Sequence, residues 1–382
     1  MPQTDRDVTP EGVATAWVTF DAHGQLSGGA SGLADRRSGR AMTIDDPARV
    51  ASVSKIVTAL TVMRLVEQGR LDLDEDVSVR LGYPVRNPAF ADRPITLRQL
   101  LSHTSSVRDA GENYVIRLGQ QLRPQVERTE SFDPDHPPGS FFRYSNLNFG
   151  IVGSVLEKAT GERFDRLADR LVLTPLGLDA CFNWATCSEA KIARAVVLYE
   201  EDGSPLLDDL QGQRPACPVF VAPGVACDLD RHELGSNGAL FSPQGGLRIS
   251  ARDLAVIGQL LLNRGRHGGK AFLSPASITA MIGPVWRFDG SNGVTDDGFY
   301  CAYGLAIQSL PGTGAGCRDD LFGDGRAAFG HAGDAYRVRS GLWIDPKRGR
   351  GVAFIAVNNG KDPPRGRSAY RAIEEQLAAK LR

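Results

Sequence analysis

The sequence predicts an α/β (α+β) protein: an antiparallel β-sheet flanked by N- and C-terminal helices and interrupted by a mostly helical inserted domain. Two observations predict it. Segments of strand character lie at the two ends of the chain, and segments with helical periodicity fill the middle. A sheet drawing on both ends is discontinuous in sequence. The expected division is residues 1–48 with 286–382 for the sheet domain and 49–285 for the mainly helical domain. A functional site belongs at the seam between them.

Val13 to Phe20 is apolar and rich in β-branched residues, and Asp21-Ala22-His23-Gly24 reads as a turn. Gln25 to Leu33 returns as the second strand of a hairpin. A helix then opens at Ser52, with Ile56, Leu60, Met63 and Val66 on one face, and ends near Gln68-Gly69. Leu71 to Asp76 is a surface turn, and Ile95 to Leu101 a short helix running into Ser102-His103-Thr104. The four prolines between Arg123 and Ser140 make that stretch irregular.

Asn146 to Thr160 is helical, with Phe149, Val152, Val155 and Leu156 apolar, and Phe164 to Leu173 continues as a second helix. Residues 200–245 are rich in Gly, Pro and Asp, the pattern of a functional loop or lid. Ser250 is an N-cap for a helix from Ala251 to Asn263, and Ser274 for one towards Met281. Strands follow at Ala327–Phe329, Val338–Ile344 and Val352–Val357, and a last helix at Ser368 to Leu381.

Composition narrows the function classes. At 382 residues and 42% hydrophobic, the chain has material for a large core in one or two domains. A formal net charge of -1 and the lack of any Lys/Arg block argue against nucleic acid or an anionic membrane as partner. No run of 18 apolar residues marks a membrane span. The start, Met1 to Asp7, lacks the basic and apolar regions of a signal peptide. The six cysteines, Cys181, Cys187, Cys217, Cys227, Cys301 and Cys317, fit either local disulfides in an exported protein or reduced thiols in a cytoplasmic one. None has metal-site spacing, so no metal and no cofactor is expected, and the sequence specifies no assembly.

The chemistry begins at Ser52-Val53-Ser54-Lys55. Helical residues three apart are neighbours, so Ser52 and Lys55 project from one side. A serine is a poor nucleophile without a base in reach, and a desolvated lysine of lowered pKa is one such base. Ser54 is adjacent to Lys55 in sequence and cannot face it. Tyr144-Ser145-Asn146 precedes a helix; a tyrosine beside Lys55 would have its phenolate favoured and could relay a proton. His331-Ala332-Gly333 follows the strand ending at Phe329, where a glycine lets a substrate approach the strand edge. Backbone N–H groups there, with that of Ser52, could form an oxyanion hole. Taken singly, the second motif also reads as a helix cap and the third as an ordinary turn.

Together, Ser-x-x-Lys, Tyr-x-Asn and His-x-Gly in this order resemble the serine β-lactamase and penicillin-binding-protein superfamily. The Tyr-x-Asn form resembles its class C branch, which includes family VIII carboxylesterases, D-aminopeptidases and DD-carboxypeptidases. Leu100-Leu101-Ser102-His103-Thr104-Ser105 and Gly245-Gly246-Leu247 through Asp253-Leu254 are similar to further segments of that branch. The resemblance runs from about Val13 to the C-terminus and implies the β-lactamase/transpeptidase-like fold. It implies Ser52 as nucleophile, Lys55 and Tyr144 as the base system, and Asn146 and His331 as substrate contacts. It also implies an oxyanion hole at Ser52 and Asp334 beside Gly333, and a structural role for His103.

The chain departs from the pattern at Ala332, where β-lactamases and peptidases usually carry a hydroxyl for the substrate carboxylate. Arg337 and Arg339, two apart on a strand, would share one face, turned either into the cleft or to solvent. Little precedes the first strand, so the helix that often opens this family is expected to be missing or truncated. The resemblance thus implies a serine hydrolase, a carboxylesterase acting on small to medium esters through an acyl-enzyme. The alternatives are a β-lactamase or D-amino-acid amidase, and a non-catalytic penicillin-binding sensor, which would be expected to have lost part of the triad.

Overall fold

A computed structural model describes residues 12–381. Eight strands form one sheet, antiparallel throughout. In spatial order they are Trp286–Arg287, Ala302–Tyr303, Gln308–Leu310, Ala328–Ala335, Val338–Asp345, Arg350–Val357, Ala14–Asp21 and Gln25–Ser31. The first strand of the chain therefore lies beside the last, with Ala14 opposite Val357 and Asp21 opposite Arg350. The strand-rich ends meet as the sequence predicts.

Both faces of this sheet are covered, which explains the nearly unbroken apolar run of its last strand. Ala353, Ile355 and Val357 point to the face packed by the helix Ala251–Leu262. Val352, Phe354 and Ala356 point to the other face, against Ile373 and Leu377 of the helix Ala372–Ala378. Gly258 allows close packing on the first face, because a Cβ there would overlap the Phe20 ring. The helix Ala251–Leu262 lies on the sheet although it falls within residues 49–285.

Ser250 caps this helix by accepting the Asp253 amide at 3.1 Å, and Ser274 caps Pro275–Ile282 in the same way at Ser277. The helices Ser54–Glu67 and Leu147–Thr160 are buried on nearly all sides, as elements inside a larger helical layer must be. A small sheet pairs Ala48–Arg49 with Leu247–Ile249, and the latter with Cys181–Phe182. It ties down the chain just before Ser52.

Several boundaries differ from expectation. Ser52 sits in a 3-10 turn, Ala51–Val53, and the α-helix starts at Ser54. The expected second helix divides into Phe164–Ala168 and a wider π turn, Asp169–Leu173, just ahead of Pro175. The final helix is shorter than expected, because Arg371 is extended and its amide donates to Glu374 at 3.0 Å. The helix expected at the N-terminal flank of the sheet falls outside the described residues.

The strand expected to end at Phe329 runs on to Ala335, so His331, Ala332 and Gly333 lie within it. The cause is the tight hairpin that follows. Tyr336 and Arg337 both have positive φ, 51° and 63°, the conformation of a two-residue turn matched to strand twist. Tyr-Arg carries no Asn-Gly signal, so the hairpin was silent in the sequence.

All six cysteines close local disulfides: Cys181–Cys187, Cys217–Cys227 and Cys301–Cys317. Among the described residues, no helix is long and apolar enough to cross a membrane.

Candidate active site

The turn carrying Ser52 is held from two sides. Val50 N donates to Leu247 O at 3.2 Å, and Val50 O accepts from Ser340 Oγ at 2.8 Å. Ala51 adopts φ +44°, a left-handed conformation that swings the chain into the helix at the residue before Ser52. Lys55 follows one turn later, its Nζ 3.1 Å from Ser52 Oγ. Ser54 is turned away: its hydroxyl donates to Ala51 O at 2.6 Å and accepts from Leu247 N at 3.0 Å.

Lys55 is fully buried, and among the described residues no carboxylate contacts it directly. Its amine meets Ser52 Oγ, Asn146 Oδ1 at 3.0 Å and Gln244 O at 2.9 Å, and lies 4.8 Å from the centre of the Tyr144 ring. Burial lowers its pKa to about 7, with the charge of Asp109 acting in the opposite sense.

Tyr144 OH lies 2.8 Å from Ser52 Oγ. The Tyr144 ring stacks on His103 at 4.2 Å and on Tyr300 at 4.9 Å. In this enclosed setting burial raises the phenol's pKa, with Ser52 lowering it and Asp109 raising it further. The expectation that Lys55 would favour a phenolate is thus corrected. Desolvation is the largest influence on this phenol.

His103 accepts the Ser145 amide at Nδ1, 3.1 Å away, and burial holds its pKa well below the usual imidazole range. It supports the Tyr144-Ser145-Asn146 segment from beneath.

The residue that sequence reasoning missed is Asp109. One carboxylate oxygen accepts from Ser145 Oγ at 2.8 Å and Leu147 N at 3.0 Å. The other accepts from Asn146 N and Asn146 Nδ2, each at 3.0 Å. It caps the helix Leu147–Thr160 from a remote loop. The sequence holds only an indirect signal: that helix has no acidic residue in its own first turn.

The strand Ala328–Ala335 supplies the opposite wall. Ala332 N donates to Gln308 Oε1 at 3.3 Å, away from the neighbouring strand Val338–Asp345. Antiparallel backbone groups alternate in direction, so the Asp334 N–H faces the same way, past the end of Gln308–Leu310. That edge borders the cavity, which Ser52, Ala332 and Asp334 all line.

Gly333 is needed here, though not for substrate approach as expected. A Cβ would overlap Ser340 Oγ and Val50 O and come 3.2 Å from Ser52 N. The glycine admits the Ser52 turn itself. His331 also departs from expectation. It is buried, bonds Tyr303 OH at 2.6 Å through Nε2 and the Ala332 carbonyl through Nδ1, and has its pKa lowered to about 3 by burial and Lys55. Its side chain leaves the strand on the same face as Gly333, towards Tyr144 and Lys55, and is not among the groups that line the cavity.

Arg337 and Arg339 do not share a face, because Arg337 lies in the turn. Arg337 pairs with Glu200 and Glu201, whereas Arg339 lines the cavity paired with Asp334.

The cavity over Ser52 has a volume of about 760 Å³. Tyr144, Asn146, Ala332 and Asp334 surround its floor, and Ile116 and Phe220 form an apolar side. Phe220 comes from the 200–245 segment, within the loop closed by Cys217–Cys227.

Comparison with known proteins gives a consistent result. A family model described as Beta-lactamase matches residues 11–378. Esterase EstB of Burkholderia gladioli is 38% identical over 295 residues, 70% of this chain and 72% of that protein. Penicillin-binding protein 4 of Amycolatopsis lactamdurans is 38% identical over 359 residues, 92% of this chain and 82% of that protein. Among solved structures, that of EstCE1, a hydrolase with promiscuous acyltransferase activity, matches with a TM-score of 0.68 at 24% identity. The match covers 96% of this chain and 92% of that one.

Proposed function

The chain belongs to the Beta-lactamase family of serine hydrolases, and from that premise we propose that it is a carboxylesterase that forms an acyl-enzyme at Ser52. The observation that carries the reading is the convergence of Lys55 Nζ and Tyr144 OH on one oxygen, Ser52 Oγ. The neutral amine of Lys55 takes the hydroxyl proton as Ser52 Oγ attacks the ester carbonyl. The N–H groups of Ser52 and Asp334 stabilise the tetrahedral oxyanion. The phenol of Tyr144 protonates the departing alkoxide, and the proton held on Lys55 restores it. Water then attacks the acyl-enzyme, its proton passes through the same pair to Ser52 Oγ as the acyl–oxygen bond breaks, and the acid is released.

Preference for an ester rests on Ala332. It lines the cavity with a methyl group where a hydroxyl would hold a substrate carboxylate. The similarity to a penicillin-binding protein over 92% of the chain favours a second reading, hydrolysis of an amide or β-lactam. The test is a panel of p-nitrophenyl acetate, butyrate and octanoate against nitrocefin and D-alanyl amides. Esters are expected to give the highest kcat/KM. Strong nitrocefin turnover with negligible ester turnover would sink the choice.

The lowered pKa of Lys55 gives a pH signature. The amine is neutral above about pH 7 and protonated below it. Because the neutral form is the base, kcat/KM is expected to fall about tenfold per pH unit below that point. A profile flat down to pH 5 would exclude Lys55 as the base.

A further inference from the structure

We propose that Asp109 is a positioning residue for the reaction, fixing the side-chain amide of Asn146 so that the free electron pair of Lys55 points at Ser52. The inference deepens the reading of Lys55 as base and rests on it. A carboxylate only accepts hydrogen bonds. Asn146 Nδ2, 3.0 Å from Asp109, is therefore fixed as the end of the amide that faces it. The other end, Oδ1, must then face Lys55 Nζ, also at 3.0 Å.

A neutral amine has two hydrogens and one electron pair. Asn146 Oδ1 and Gln244 O, at 3.0 and 2.9 Å, take both hydrogens. The pair is left for the third neighbour, the Ser52 hydroxyl at 3.1 Å. Were the Asn146 amide reversed, an N–H would face the amine, which would answer with its electron pair and turn it away from Ser52. Asp109 forbids that reversal. Its remaining bonds, to Ser145 Oγ and to the amides of Asn146 and Leu147, hold the carboxylate still.

Asp109→Asn keeps the shape but presents an N–H to a set of donors. With p-nitrophenyl butyrate as probe, kcat is expected to fall about 10²-fold, the loss typical of a misplaced reacting group, with KM changed less than threefold. The acid limb of the pH profile is expected to move to lower pH. The groups facing Lys55 are Tyr144, His103 and His331, all held uncharged by burial, and the more distant Asp109, the one group that raises its pKa. Removing that charge lets the pKa fall further.

Asn146→Ala leaves the helix cap in place and should lose kcat to a similar extent. The double variant should be little worse than either single one, since both act through one contact. Wild-type kcat and an unmoved acid limb in Asp109→Asn, or wild-type kcat in Asn146→Ala, would overturn the proposal. If Asp109→Asn fails to fold, Asn146→Ala decides alone. An inactive wild-type protein would instead refute the esterase reading, which keeps the two failures distinct.

Discussion

Replacing Ser52 with alanine is expected to lower kcat for p-nitrophenyl butyrate by ~10³ or more, in line with the loss of a nucleophile in hydrolases built on a serine and a base. The change removes one oxygen, and that oxygen is bonded by both Lys55 and Tyr144. Folding should be nearly unaffected, at about 1 kcal/mol for the lost hydrogen bonds, because Lys55 keeps Asn146 Oδ1 and Gln244 O. Thermal melting with steady-state kinetics separates the two effects.

Ser54→Ala should show the opposite pattern. It removes a buried hydroxyl that joins Ala51 O to Leu247 N, so stability falls while the chemistry stays in place. Retained activity in Ser52→Ala, or abolished activity in a folded Ser54→Ala, would reverse the assignment of the nucleophile.

Gly333→Ala is the second large effect. The added methyl overlaps Val50 O and Ser340 Oγ, which belong to the anchor of the Ser52 turn. Both are held by their own bonds, so the turn must move off the strand. This separates the N–H of Ser52 from that of Asp334 and shifts Oγ relative to Lys55. A displacement near 1 Å is expected to lower kcat/KM about 10²-fold. Overpacking adds about 1–3 kcal/mol of instability. A variant as active as the parent would show that the two N–H groups do not act as one oxyanion hole.

Much of the fold was legible because its signals are local. Ser250 and Ser274 stand at the helix starts that their side chains cap. The apolar runs at the two ends of the chain predicted a sheet joining them, and Ala14 lies opposite Val357. The strand Ala328–Ala335 was read short because the hairpin that extends it turns at Tyr336-Arg337, residues without a turn signature. The same turn parts Arg337 from Arg339. The roles of Gly333 and Asp109 were hidden for another reason. Gly333 meets Val50, and Asp109 meets Ser145 to Leu147, all far away in sequence, while Ser340 reaches Gly333 across the hairpin that carried no turn signature.

By itself, the sequence determined the pairing of Ser52 with Lys55, since three residues along a helical turn bring any two side chains together. It also determined the order of the motifs and the apolar pattern of the sheet. The tertiary structure decided what those residues are. It buried Lys55 and so brought its pKa to about 7, kept the Tyr144 phenol protonated, and tied the buried His331 to Tyr303. It also brought Asp109 to Asn146. Proximity within one turn is a local property, whereas desolvation and the direction of a hydrogen bond depend on every element packed around a group.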